Sequence, residues 1–150
     1  MSTSTIPPVL REVVVQADPV RAFTAFTAEL GRWWPRATHS VAAERARTVT
    51  VDAGVGGAIV ETDDTGERHL WGTISVWDPG VRVVFGWHPG RPAEEATEVE
   101  VRFRPEGTGT RVVLEHRGWE RVDIGAARRA RYDDGWIPVL VAFAAHADAP

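Results

Sequence analysis

The chain contains no cysteine, which excludes disulfides, thiolate nucleophiles and cysteine-ligated zinc. It contains no lysine either: all 17 basic residues are arginines, so Schiff-base chemistry and a phosphate-loop lysine are excluded too. Serine is scarce, and none of Ser2, Ser4, Ser40 and Ser75 sits in a Gly-x-Ser-x-Gly elbow, which argues against covalent hydrolase chemistry. No apolar run approaches the ~18 residues of a membrane span, and Met1 to Pro8 lack the basic-then-apolar pattern of a signal peptide. A cytoplasmic protein without membrane insertion is therefore expected.

Metal ligands are also missing at useful spacing. His39, His69, His88, His116 and His146 form no helical or hairpin pair with a supporting carboxylate, so no metal is expected. Asp63-Asp64-Thr65-Gly66-Glu67 lacks the length and the late glutamate of a calcium loop and reads as a hairpin turn. Gly54-Val55-Gly56-Gly57 precedes a strand rather than a helix, so no dinucleotide fingerprint exists and no cofactor is expected. The net charge is −4 and the arginines are interspersed with acids, which leaves no basic face for nucleic acid.

What the chain does have is tryptophan. Seven indoles in 150 residues are too many for an ordinary core of this size. Each carries roughly 150–250 Å² of surface and an N–H that wants a partner when buried. A wide interior with polar contacts, and hence a cavity, is expected. With 43% apolar residues the chain reads as one domain over 1–150, with residues 1–8 as a loose N-terminal arm.

Periodicity supplies the order of elements. Leu10–Gln16 is a β-branched run. Asp18 can cap a helix with Pro19 in its first position, and Phe23, Phe26, Thr27 and Leu30 recur on one face before Gly31 ends it. Trp33 and Trp34 then cannot both face the same way. From Arg47 the period drops to two, predicting strands at 47–51, 58–62, 69–77, 81–88, 97–104 and 110–117. The short Gly-, Pro- and Asp-rich links between them predict an antiparallel meander. Ile124, Ala127, Tyr132, Trp136, Val139, Leu140 and Phe143 mark the apolar stripe of a last helix ending near Ala147, with Gly135 and Pro138 predicting a kink or break.

The opening Val15-Gln16-Ala17-Asp18-Pro19-Val20-Arg21-Ala22-Phe23, followed by Trp33-Trp34-Pro35, resembles the Bet v 1-like, START-related (SRPBCC) helix-grip superfamily. Val55-Gly56-Gly57, Trp71-Gly72-Thr73-Ile74-Ser75-Val76-Trp77-Asp78-Pro79, Val83-Val84-Phe85-Gly86-Trp87 and Leu114-Glu115-His116-Arg117-Gly118-Trp119 are similar to its bacterial branch named after the Hsp90 ATPase activator. The resemblance implies an α+β fold: a curved seven-stranded antiparallel sheet wrapped around a long C-terminal helix, with short helices after the first strand. Such a fold encloses a ligand cavity but does not by itself choose among carriers, cyclases and co-chaperones.

Alternation places Leu70, Gly72, Ile74 and Val76, then Val81, Val83, Phe85 and Trp87, on the inner face. Val99, Val101 and Phe103 follow, and Val112, Leu114 and His116 close the last row. His116 reads either as a structural histidine satisfied by a backbone carbonyl or as a ligand-binding or acid/base group. Glu61 shares parity with Ile59 and either points inward or faces solvent at an edge. Tyr132 and Trp136, four apart, share a helix face as core or as cavity wall. The expected function is binding of a small, mostly apolar ligand by Trp34, Glu61, Phe85, Trp87, His116, Tyr132 and Trp136, with no catalytic residue assigned. The enzyme alternative is a cyclase- or hydrolase-like use of His116 with Glu61 as acid and base. The third reading is an Hsp90-type co-chaperone touching a chaperone ATPase through its surface, as a monomer or homodimer.

Overall fold

The computed structural model describes residues 5–149. Strand β1 (Val9–Val15) leads into α1 (Pro19–Phe26) and a short α2 (Leu30–Trp33). Six strands follow: β2 (Ala46–Val51), β3 (Ala58–Asp63), β4 (Arg68–Asp78), β5 (Arg82–Trp87), β6 (Thr97–Glu106) and β7 (Gly109–Arg117). The helix α3 (Gly125–Ala147) ends the chain. All seven strands form one antiparallel sheet in the order β1-β7-β6-β5-β4-β3-β2. This is the helix-grip arrangement the sequence predicts. No helix among the described residues is long and apolar enough to cross a membrane.

The N-terminal helix is capped as its sequence requires: the Asp18 carboxylate accepts from the Arg21 N–H at 2.8 Å, with Pro19 in the first turn. It stops earlier than predicted. The Thr27 hydroxyl donates to the Phe23 carbonyl at 2.7 Å and the chain turns before restarting at Leu30. Gly31 therefore lies inside α2 rather than ending α1. Its role is close approach, since a Cβ there would sit 2.1 Å from the Val49 carbonyl oxygen of β2.

Two register shifts bend β4. Trp71 is an extra residue opposite Ile59–Val60, and Ser75 is extra opposite Val84–Phe85. Each bulge reverses the alternation and tightens the local twist. Upstream of the first, Trp71 is buried and Leu70 is 43% exposed, the reverse of the predicted parity. Beyond the second, Trp77 rather than Val76 turns inward and meets Phe23 at 5.0 Å, edge to face. Val81 lies before β5 and is 58% exposed. On β6 and β7, which carry no bulge, Val99, Val101, Phe103, Val112, Leu114 and His116 all face inward and are buried, as predicted.

The last helix runs without a break through Pro138. Its buried stripe is Gly125, Arg128, Trp136, Val139, Leu140, Phe143 and Ala147. Ile124 is instead its exposed N-cap, in a left-handed conformation with φ 48°. Ala127 is also exposed, and Arg128 occupies the inward position. At the start of the described chain, Arg129 donates to the carbonyls of Pro7 and Pro8 at 2.6 and 3.0 Å, and Ile6 packs on the core. Residues 6–8 of the predicted arm are thus held against α3, while residues 1–4 lie outside the described residues.

The core divides into two aromatic clusters. Phe23, Phe26, Trp33, Phe103 and Phe143 pack at one end, edge to face except for the tilted Phe26–Trp33 pair, with centroids 5.0–6.3 Å apart including Trp77. That end is filled: a void beside Phe26, Ile59, Ile74 and Phe85 measures only about 10 Å³. Trp34, Trp71, Trp87 and Trp136 gather at the other end, 5.2–6.0 Å apart.

Candidate ligand-binding cleft

The tryptophan-rich end does not fill. A cleft of about 400 Å³ opens there, lined by Trp34, Trp87, Tyr132, Trp136 and Val139 with the loop residues Thr38–Val41 and Pro89–Gly90 at its lip. Of the residues nominated from the sequence, Trp34, Trp87, Tyr132 and Trp136 form its walls. Phe85, Glu61 and His116 do not line it. Phe85 sits one pleat deeper, 5.7 Å from Trp87, in the filled part of the core.

Glu61 is fully buried and works on the lip from behind. Its two carboxylate oxygens accept from the Val41 and Ala42 backbone N–H groups at 2.8 Å each, and one also accepts from the Trp71 indole at 3.0 Å. One carboxylate thereby ties the lip loop to β3 and β4. The Trp34 indole donates to the His39 carbonyl at 2.6 Å and fixes the same loop from the wall. Glu61→Gln should destabilise the fold by about 2 kcal/mol, because an amide cannot serve three N–H donors as a carboxylate does. Urea denaturation checks this, and an unchanged midpoint would show that the loop is held otherwise.

His116 is also fully buried, behind Trp136 and Tyr132. The Trp136 indole donates to its Nδ1 at 3.0 Å, so that nitrogen carries no hydrogen. The proton is on Nε2, which donates to the Thr97 hydroxyl at 2.6 Å, and Thr97 in turn donates to the Trp87 carbonyl at 3.2 Å. Burial, and next the positive charge of Arg128, lower the His116 pKa to about 3. The imidazole is therefore neutral at pH 7, with both nitrogens occupied by side chains rather than by the backbone carbonyl one reading predicts. Glu61 and His116 share no partner, so the acid/base pair required by the enzyme alternative does not converge.

The other buried indoles find acceptors for their N–H groups: besides those above, Trp33 donates to the Ala25 carbonyl at 2.7 Å and Trp119 to the His116 carbonyl at 2.8 Å. Trp87 does not. Its ring lines the cleft, and its Nε1 is shielded from solvent and has no hydrogen-bond partner among the described residues. The Tyr132 phenol is its near neighbour. Burial raises the phenol pKa, and the Trp87 N–H, Arg128 and Arg91 partly offset this, yet the N–H falls short of hydrogen-bond geometry with the phenol oxygen. A buried donor in this state marks a place where an acceptor is missing.

Asp63–Glu67 forms the predicted hairpin turn between β3 and β4, and the Asp63 carboxylate clasps it. One carboxylate oxygen accepts from Thr65 N–H, Thr65 hydroxyl and Glu67 N–H, and the other meets His69 Nε2 at 3.0 Å. These bonds, the Thr65 hydroxyl first and His69 next, outweigh burial and hold the carboxyl below its ordinary pKa.

A sequence model of the activator of Hsp90 ATPase homolog 1-like proteins matches residues 16–147. The chain belongs to this family. Solved structures with the same fold include an anthrahydroquino-γ-pyrone synthase, Txn09, 33% identical over 96% of this chain and 99% of its own, with a TM-score of 0.65. The self-sacrificing resistance protein CalC from Micromonospora echinospora is 29% identical over 95% of this chain and 94% of its own, with a TM-score of 0.66. The Aha1 dimer from Colwellia psychrerythraea shares the fold at 17% identity, over 95% and 97% of the two chains, with a TM-score of 0.66. No curated protein matches the sequence. In this family member, the residues that periodicity missed are Trp71, hidden by a bulge, and Arg128, placed at the i−4 position from Tyr132 on the buried stripe of α3.

Proposed function

We propose that the cleft binds a planar, largely apolar aromatic molecule that carries an acceptor oxygen. The unpartnered Trp87 N–H carries this reading, because it is a buried donor on one of the four aromatic rings, with Trp34, Tyr132 and Trp136, that wall the cleft. Volume agrees: about 400 Å³ lies within the range of small-molecule sites. Flat indole and phenol faces favour a flat guest through stacked and edge-on contacts. One relative at 33% identity is named as an anthrahydroquino-γ-pyrone synthase, a name compatible with a ligand of that chemistry. Binding is preferred to acid/base turnover by His116 and Glu61, since neither side chain reaches the cleft.

Saturable quenching of tryptophan emission by 1,8-dihydroxyanthraquinone is the direct test. Trp87→Phe keeps a ring and removes the donor, so affinity should fall about fivefold, the equivalent of one neutral hydrogen bond of about 1 kcal/mol. Val139→Trp should narrow the cleft and weaken binding more than tenfold, at a cost of about 1–3 kcal/mol in stability because Val139 is already buried. An affinity indifferent to Val139→Trp would place any binding elsewhere and end the proposal.

A further inference from the structure

Tyr132 is shared between the cleft and a second hollow of about 290 Å³, lined by Arg91, Arg128 and Arg131 together with the phenol. Three guanidinium groups around one space repel one another, and they differ in how that repulsion is relieved. Arg91 is paired with Glu95 at 3.0 Å, and Arg131 is exposed to water. Arg128 has neither outlet. It is only 7% exposed, its Nη1 is shielded from solvent, and the guanidinium makes no hydrogen bond or ion pair among the described residues.

Glu95, whose charge does reach Arg128, is already paired with Arg91, and no described carboxylate makes a hydrogen bond or ion pair with the Arg128 guanidinium. The side chain is covered by neighbouring residues that ring a hollow rather than being deeply packed. Burial, and then the charge of Arg91, push its pKa below the ordinary arginine value. Its backbone position adds to the imbalance. Arg128 is the fourth residue of α3, whose first turn contains no acid, so the positive end of a 23-residue helix faces a positive side chain. A covered guanidinium with no counter-ion is destabilising unless something outside the chain completes it.

We infer that the arginine hollow binds an oxyanion, the acidic group of the same ligand whose aromatic body occupies the cleft. The inference rests on the aromatic-ligand reading for the body and narrows the class to an aromatic acid. A guanidinium presents a planar fork of donors that matches carboxylate, sulfonate or phosphate oxygens two at a time. Tyr132, common to both spaces, is where ring and acid would join. The Trp87 N–H then serves an oxygen on the ring, and Arg128 serves the acid.

Two dyes with one aromatic body separate the contributions: 1-anilinonaphthalene-8-sulfonate and the uncharged N-phenyl-1-naphthylamine. The native protein should bind the sulfonate at least tenfold more tightly. Arg128→Gln should abolish that preference, leave the uncharged dye within twofold, and melt no lower than the native chain because a buried unpaired charge has gone. Should Arg128→Gln fail to fold, the exposed Arg131→Gln decides, with an expected loss of about threefold for the sulfonate alone. Equal affinities for the two dyes, or a sulfonate affinity untouched by the folded variant, would overturn the inference. If neither dye binds, the aromatic-ligand reading fails, and the hollow is decided by inorganic phosphate alone. A rise in Tm over chloride at equal ionic strength, present in the native protein and absent in Arg128→Gln, supports the anion site; no rise overturns it.

Discussion

Trp136→Ala is expected to lower stability by roughly 3–5 kcal/mol for the lost ring, with about 1 kcal/mol more for the acceptor it strands. The indole is 2% exposed and touches Trp34, Trp87, Tyr132 and His116 with centroids 5.6–6.2 Å away. Removing it joins the cleft to a new void and leaves His116 Nδ1 without its donor. Trp136→Phe isolates the second effect, since most of the ring volume remains and only the N–H is lost; about 1–2 kcal/mol is expected. Equilibrium urea denaturation measures both. An alanine variant within about 0.5 kcal/mol of the native protein would mean that Trp136 is a mobile gate rather than part of the packed wall. Ligand affinity should fall in the alanine variant as well, because one wall of the cleft disappears.

Where alternation runs unbroken, the sequence is a sufficient guide. On β6 and β7 every inward residue is where a period of two puts it, including the out-of-character His116. On β4 the same rule fails at Leu70 and Val76, because two extra residues, Trp71 and Ser75, shift the register. Nothing in the local pattern of apolar and polar residues marks a bulge, since its cause is the curvature that the whole sheet must adopt. The end of α1 was hidden for a related reason. Thr27 continues the apolar spacing but uses its hydroxyl on the Phe23 carbonyl, a bond that the spacing of apolar residues does not register.

The candidate site was legible in its aromatic half and illegible in its polar half. Trp34, Trp87, Tyr132 and Trp136 follow from periodicity and from the surplus of indoles. Glu61 is buried as its parity allows, but its partners, Val41 and Ala42, come from a loop about twenty residues earlier. Arg128 carried a usable signal: it is spaced 4, 8, 11 and 15 residues from Tyr132, Trp136, Val139 and Phe143, all on one helical face. The assumption that an arginine belongs on the outside concealed it. Most arginines here do stay outside, as Arg117 does in joining Glu98, Glu100 and Glu115 across the outer face of β6 and β7.

The stability of the protein is expected to fall by on the order of 4–5 kcal/mol between pH 6.5 and pH 3 on account of His116 alone. Its folded pKa is about 3 against an ordinary 6.5, and each pKa unit corresponds to about 1.4 kcal/mol. Because the folded value lies below the unfolded one, the unfolded chain binds the extra proton throughout that window. The contribution is therefore fully present above pH 6.5 and is lost as pH falls. Glu29 and Glu100 have pKa values lowered to about 2: Arg21 and His146 bind the first, and Arg102 and Arg117 outweigh burial at the second. Their contributions are present above the ordinary carboxylate range and disappear below it, so the interval from pH 7 to pH 5 belongs chiefly to histidine. His116→Gln offers an amide that accepts from Trp136 and donates to Thr97 without titrating. Over that interval the native protein should lose about 2 kcal/mol relative to this variant, the other four histidines being common to both. Parallel stability curves would show that the imbalance of protons lies elsewhere and that the imidazole titrates normally in the fold. A slope of the expected sign fixes His116 as a neutral strut between Trp136 and Thr97, with no free nitrogen for proton transfer, and leaves the cleft's own wall and the arginine hollow to carry whatever chemistry the ligand requires.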